Sequence, residues 1–199
     1  MLSFDEVVAF VGERPCLRLV GIDGLPVAGK STLSRLLAAA TGGACVKLDE
    51  FVKPEAEWRW RDRPSFPFDY IRYDEFLGAV ARLAADGRCR YRPYDLATGE
   101  VADAEREVRT DGPVFVEGVS ALHPDLAPLY DLRVWVESDA ATVLAAARAR
   151  GVGAWALEWE RMFLPSVDLY LRTEPIRRAD IMAAGRGSPA WGSRRPEPP

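Results

Sequence analysis

The sequence predicts an α/β protein, a three-layer α/β/α sandwich around a central five-stranded parallel sheet. Three observations lead there. Five short apolar runs, at about 16–23, 44–48, 113–117, 132–137 and 179–182, alternate with stretches of helical spacing, which is the pattern of a parallel sheet covered on both faces. The stretch Gly24-Leu25-Pro26-Val27-Ala28-Gly29-Lys30-Ser31-Thr32 completes G-x-x-x-x-G-K-[ST] between the first run and a helix-forming segment. Two of the runs lead into carboxylates, Asp49 and Glu117, at the strand ends where such sheets place their ligands.

The elements follow in chain order. Phe4, Val7, Val8 and Val11 share one face of a short N-terminal helix. Strand one leads into the glycine-rich loop and a helix over about 30–40, which Thr41-Gly42-Gly43 terminates. From Lys53 to Pro67 the chain is rich in Pro, Trp and Arg without periodicity, and reads as an excursion over a site mouth. Phe76, Leu77, Val80, Leu83 and Ala84 mark a helix over 73–85. Two short strands around Asp95-Leu96-Ala97-Thr98-Gly99 form a β-hairpin flap at about 89–109. Helical patterns cover 140–150 and 154–170, the second with Pro165 as an expected interruption, and residues 188–199 read as a flexible tail behind one domain spanning 1–187.

Composition narrows the function. Of 199 residues 48% are hydrophobic, enough for one sizeable core. Twenty-six basic against thirty acidic residues give a net charge of −4, with no basic stripe to serve as a nucleic-acid platform. Cys16, Cys45 and Cys89 lack metal or disulfide spacing and are expected as reduced, buried thiols. The single histidine, His123, argues against a His-based metal site or a Ser-His-Asp triad and reads as part of a surface turn. With no basic-then-apolar N-terminal signal and no run of about 18 apolar residues, a cytoplasmic protein without membrane contact is expected.

The loop defines the chemistry. Its backbone N–H groups, at the positive end of the following helix, wrap a polyphosphate. Gly24, Ala28, Gly29, Lys30, Ser31 and Thr32 form the nucleotide cradle, in which Lys30 reaches the β- and γ-phosphates and the Ser31 hydroxyl ligates Mg²⁺. Of the two strand-end carboxylates, one can hold the metal and the other can take the proton of an acceptor hydroxyl. Trp135 reads as core, Trp155 and Trp159 as one helix face that is more core than pocket, and Trp58 and Trp60 as the better candidates for substrate contact.

Read in order, Gly21-Ile22-Asp23-Gly24, Ala28-Gly29-Lys30-Ser31-Thr32, Asp49-Glu50-Phe51, Tyr94-Asp95, Val116-Glu117-Gly118 and Ala179-Asp180-Ile181 followed by Gly185-Arg186-Gly187 resemble the uridine kinase, phosphoribulokinase and pantothenate kinase group of P-loop kinases. The resemblance runs from about residue 16 to 187 and comes nearest to the small uridine-kinase-like proteins of actinobacteria. It implies an ATP- and Mg²⁺-dependent kinase that phosphorylates a hydroxyl of a small, nucleoside-like acceptor, and a protein able to form a homodimer. It makes Asp49 the base, Glu117 a magnesium-sphere carboxylate, Asp69 a ribose contact and Tyr94 part of the cover over the acceptor. Arg148 and Arg150 fall in a lid at about 148–154 that closes over the phosphates, and Arg161 faces the acceptor pocket.

The chain departs from the family pattern at several positions. Pro26-Val27 replaces a glycine and a small residue, which implies reshaped nucleotide binding. Leu96 and Gly99 stand where uridine enzymes carry a base-reading aromatic and histidine, and Val52 where they carry another ring. The lid is also short and poor in arginine. A non-nucleoside acceptor such as a sugar, a pantothenate-like acid or a specialised metabolite is therefore a second reading, and a nucleotide-dependent switch a third.

Overall fold

The computed structural model describes residues 1–139, 141–143, 145–146 and 155–188. Helix α1 (Phe4–Gly12) starts at a capping box in which the Ser3 hydroxyl accepts from Glu6 N–H while the Glu6 carboxylate accepts from Ser3 N–H. Strand β1 (Leu19–Gly24), helix α2 (Lys30–Thr41) and strand β2 (Ala44–Lys47) follow, with Gly42 closing α2 in a left-handed turn. A 3₁₀ turn (Leu48–Phe51) and a one-turn helix α3 (Glu55–Trp58) lead to α4 (Tyr73–Asp86).

The flap consists of two nested antiparallel ladders: β3 (Arg88–Tyr91) with β6 (Arg106–Arg109) at its root, and β4 (Tyr94–Asp95) with β5 (Glu100–Val101) at its tip. Strands β7 (Val114–Glu117) and β8 (Leu132–Glu137), helix α5 (Ala156–Glu158), a π-helical turn (Trp159–Phe163), α6 (Leu164–Leu171) and β9 (Ile181–Ala184) follow, with short 3₁₀ turns at Ala127–Leu129 and Pro175–Arg178.

The five core strands run parallel in the order β2-β7-β1-β8-β9. Alternation along each strand divides the core between the two faces of the sheet. Leu19, Val114 and Val116 point to the side covered by Phe76, Val80 and Leu83 of α4, whereas Val20, Ile22 and Phe115 point to the side covered by Val7 of α1 and Leu33 and Leu37 of α2. Both faces are dry because each strand carries apolar side chains in both directions, the signature of a buried parallel sheet. The register sets Ile22 beside Glu117 and Glu117 beside Lys47, so the ends of β1, β2 and β7 open together at one edge.

Several sequence expectations are corrected. Strand two ends at Lys47, which puts Asp49 in the 3₁₀ turn beyond it. The 53–67 excursion contains α3, and the last strand begins at Ile181 rather than 179. Pro165 does not stop its helix. The π turn just ahead of it adds a residue, a local widening that lets the chain pass a proline with no N–H to donate. His123 is not on a surface turn but is 8% exposed, with its ring against Phe66 and Tyr73 and its Nδ1 accepting from Asp125 N–H. Burial holds its pKa below the usual imidazole value. Cys89 is buried as expected, Cys45 only partly, and Cys16 is exposed.

Candidate active site

The phosphate loop turns sharply between β1 and α2. Gly24 (φ +149°) has no room for a side chain, since a Cβ there would lie 2.5 Å from the Val136 carbonyl oxygen. Lys30 is 7% exposed, and its ammonium donates to the carbonyls of Gly24 (3.1 Å) and Leu25 (2.7 Å). Thr32 and Leu33 N–H both donate to Gly29 O, so the amides of Lys30 and Ser31 lie ahead of the first helical bonds and face out of the helix N-terminus.

Val27 takes the left-handed conformation (φ 56°), where a β-branched side chain is strained. Arg186 holds it there: its Nε donates to Val27 O at 3.1 Å and its backbone N–H to Ala28 O at 2.9 Å. Val27→Gly removes that strain, worth about 1–3 kcal/mol, at a cost of about 0.4–1 kcal/mol in unfolded-state entropy. Thermal melting should therefore show a midpoint raised by about 2–4 °C; an unchanged or lowered midpoint would mean that the valine is relaxed.

Glu117 closes β7, 3% exposed, with Ser31 within side-chain hydrogen-bonding reach. Burial raises its pKa, the nearby Lys30 pulls it down, and the Asp49 carboxylate pushes it up again. Burial in turn lowers the Lys30 pKa, against the pull of Glu117, Asp23 and Asp49. Lys30, Ser31, Glu117 and Asp49 therefore sense one another. Gly118 makes this approach possible. At φ +157° it lies against the 3₁₀ turn so closely that a Cβ would fall 2.4 Å from Leu48 Cβ. Asp49 itself is exposed at the site, next in the chain to buried Leu48.

Beneath the loop lies a residue to which the sequence reading gave no role of its own. Asp23 is completely buried and accepts from the N–H groups of Gly24 (2.6 Å), Ser120 (3.1 Å) and Leu122 (2.8 Å) and from the Tyr170 hydroxyl (2.5 Å). Burial raises its pKa while these donors offset the cost of the charge. A lone acid inside an otherwise apolar strand was the available signal.

On the opposite wall the placements differ. Tyr94 on β4 packs by the Asp49 turn and is 9% exposed; its hydroxyl has no hydrogen-bond partner among the described residues. Asp69 is exposed, with its N–H on Ser65 Oγ, and among the described residues no contact brings its carboxylate to the site. Its neighbour Tyr70, which the sequence did not single out, senses Asp49 and stacks on Phe68, with the Phe163 ring 4.5 Å away.

Trp58 is 1% exposed, its indole N–H bonded to Lys53 O and its ring between Trp155 and Phe163, so it is core rather than a substrate contact. Trp60 remains 73% exposed. Arg161 is exposed on the π turn, two residues before Phe163. Arg148, Arg150 and the expected 148–154 lid lie outside the described residues, as does the tail from 189 onward.

Comparison with solved structures establishes the architecture. A candidate uridine kinase from Bacillus stearothermophilus superposes with a TM-score of 0.66 at 20% identity, covering 90% of this chain and 98% of that one. The chain has the P-loop kinase fold. The same fold relates it to a candidate fructose transport system kinase from Silicibacter sp. TM1040 (TM-score 0.62, 20% identity, 92% and 99% covered). It also relates it to D-glycerate 3-kinase from Cryptococcus neoformans var. grubii (TM-score 0.51, 16% identity, 88% and 87% covered). No family model matches the chain. A P-loop kinase fold places its phosphate loop at the end of the central strand, which is where β1 carries Gly24–Lys30 here. Among the described residues no helix is long and apolar enough to cross a membrane, and no three His, Cys, Asp or Glu side chains form a ready-made metal cage.

Proposed function

We propose that the protein is a phosphotransferase that moves the γ-phosphoryl group of ATP onto a hydroxyl of a small, nucleoside-like molecule. The observation that carries this is the convergence of Lys30, Ser31, Glu117 and Asp49 at the carboxyl ends of three adjacent parallel strands. The helix-start amides and the buried ammonium fit a triphosphate, and a hydroxyl beside a buried carboxylate fits Mg²⁺, which usually keeps one or two protein ligands and takes the rest from phosphate and water. When bound, Mg²⁺ neutralises charge on the phosphate oxygens.

The chain's own residues do the rest. Lys30 and the loop amides bind the phosphates and stabilise charge as the bridging P–O bond breaks. Asp49 orients the acceptor alcohol and takes its proton as the new O–P bond forms, and ADP leaves. Tyr94 covers the acceptor from the flap, with Asp69 and Arg161 as further acceptor contacts. Arg148 and Arg150 supply lid charge.

One observation favours the reading with a non-nucleoside acceptor. At the flap tip Leu96 is 69% exposed, and a Cβ on Gly99 would lie 2.8 Å from the Glu55 carboxylate, so neither position offers a base-reading side chain. The deciding measurement is ADP release from ATP and Mg²⁺ with uridine, D-fructose or D-glycerate, and with none of them. Release that depends on one of them supports a kinase and names its acceptor class. Slow hydrolysis indifferent to all three would point instead to a nucleotide switch.

A further inference from the structure

The turn that carries Asp49 is fastened at its very next residue. The half-buried Glu50 accepts through Oε2 from the Tyr91 hydroxyl (2.5 Å) and from Lys47 N–H (3.4 Å). Its Oε1 accepts from the Arg106 guanidinium, whose second amino group donates to Cys45 O at 2.7 Å. Tyr91 and Arg106 face each other across the β3–β6 ladder, so both bonds anchor the flap root.

Arg72, at the start of α4, holds the backbone of the same turn. Its Nη2 donates to Glu50 O (3.0 Å) and to Arg92 O (2.8 Å), and its Nε to Val52 O (3.3 Å). The Phe51 ring fills the space beneath, 4.5 Å from Tyr91 and 5.1 Å from Phe76. The flap tip is tied as well, through Glu55 N–H on Gly99 O at 2.8 Å. A part-buried ion pair of this kind is a weak source of net stability, and its better-attested use is to select one arrangement over its neighbours.

We propose that Glu50 is a positioning residue for Asp49: through Arg106 and Tyr91 it joins the catalytic turn to the flap, so that the base and the acceptor's cover are set in register before substrate arrives. The inference rests on the reading of Asp49 as the base. It makes the flap a fixed wall rather than a lid, leaving closure to other segments. In-line transfer tolerates little error, because reacting atoms must approach to about 3–3.5 Å and a misplacement of about 1 Å costs about 10²-fold in rate.

The test uses the full chain and the variants Glu50→Gln, Arg106→Lys and Asp49→Asn. It reads amide hydrogen exchange, mant-ATP·Mg²⁺ binding, and kcat and KM with whichever of uridine, D-fructose and D-glycerate supports turnover. Glu50→Gln is expected to speed exchange in residues 48–52 and 88–109 together, by about tenfold or more, while β1 and α2 keep their protection. Nucleotide affinity should stay within about twofold, and kcat should fall about 10²-fold with a much smaller change in KM. Arg106→Lys, which keeps the charge, should retain most of the activity.

Faster exchange in only one of the two segments, or in neither, overturns the proposal, as does a wild-type kcat in Glu50→Gln. Should Asp49→Asn turn over normally, the reading of the site fails first. Should Asp49→Asn be inactive while Glu50→Gln is unimpaired, this inference alone fails. With no turnover on any of the three acceptors, the exchange measurement decides by itself.

Discussion

Asp49→Asn is expected to bind Mg²⁺-ATP within about twofold of wild type and to lose about 10²–10⁴ in turnover. Asp49 is exposed in the 3₁₀ turn, so replacing it by its isostere removes neither a core contact nor a described hydrogen bond. The fold and the phosphate loop should therefore survive. What the amide cannot do is accept the acceptor's proton. Nucleotide titration and single-turnover transfer measured on the same sample separate the two effects. Equal losses of affinity and rate would move Asp49 from the chemistry to the architecture, and full activity would remove it from the mechanism.

Lys30→Met is expected to lower turnover by about 10²–10³ and to weaken nucleotide binding, since on the proposed reading the buried ammonium stabilises charge on the phosphates. Methionine keeps most of the volume, so the structural consequence is mainly electrostatic. It also has a definite pH signature. The Glu117 pKa is already raised by burial and pulled down chiefly by Lys30. A carboxyl raised above its unfolded value contributes most to stability below the unfolded pKa, and that contribution is lost as pH rises towards the folded pKa.

Removing Lys30 raises the folded pKa of Glu117 further, so the loss becomes larger and continues to higher pH. The difference in melting temperature between wild type and Lys30→Met should therefore widen from pH 5 to pH 8. A constant or narrowing difference would show that Lys30 and Glu117 are not coupled.

The loop and the sheet were legible in the sequence because both are written in short-range terms. A glycine-lysine turn between an apolar run and a helix former dictates its own backbone, and continuous apolar runs fit only strands covered on both faces. The hairpin flap was legible for the same reason, as two short strands around a turn, but its division into two nested ladders was not. Glu117 could be nominated because it sits where a strand ends, whereas Tyr94 came only from the family resemblance. Where the reading failed, the deciding contact was distant in the chain. His123 looked like part of a surface turn because its burial depends on Phe66 and Tyr73, more than forty residues upstream. Trp58 looked available because Trp155 and Phe163, which enclose it, lie about a hundred residues further on.

By itself, then, the sequence determined a glycine-rich, lysine-bearing turn, a parallel sheet and the pair of carboxylates at its edge, since each depends on residues a few positions apart. Only the tertiary structure decided that Asp49 and Glu117 come near each other, through the close approach of Gly118 to Leu48, and that Asp23 is a buried hub rather than a third acid in the cleft. The same holds for Glu50, whose partners Tyr91 and Arg106 come from the flap. The physical reason is strand order. Inserting β7 between β2 and β1 brings together side chains that the chain itself keeps some seventy to ninety residues apart, and no local pattern encodes that adjacency.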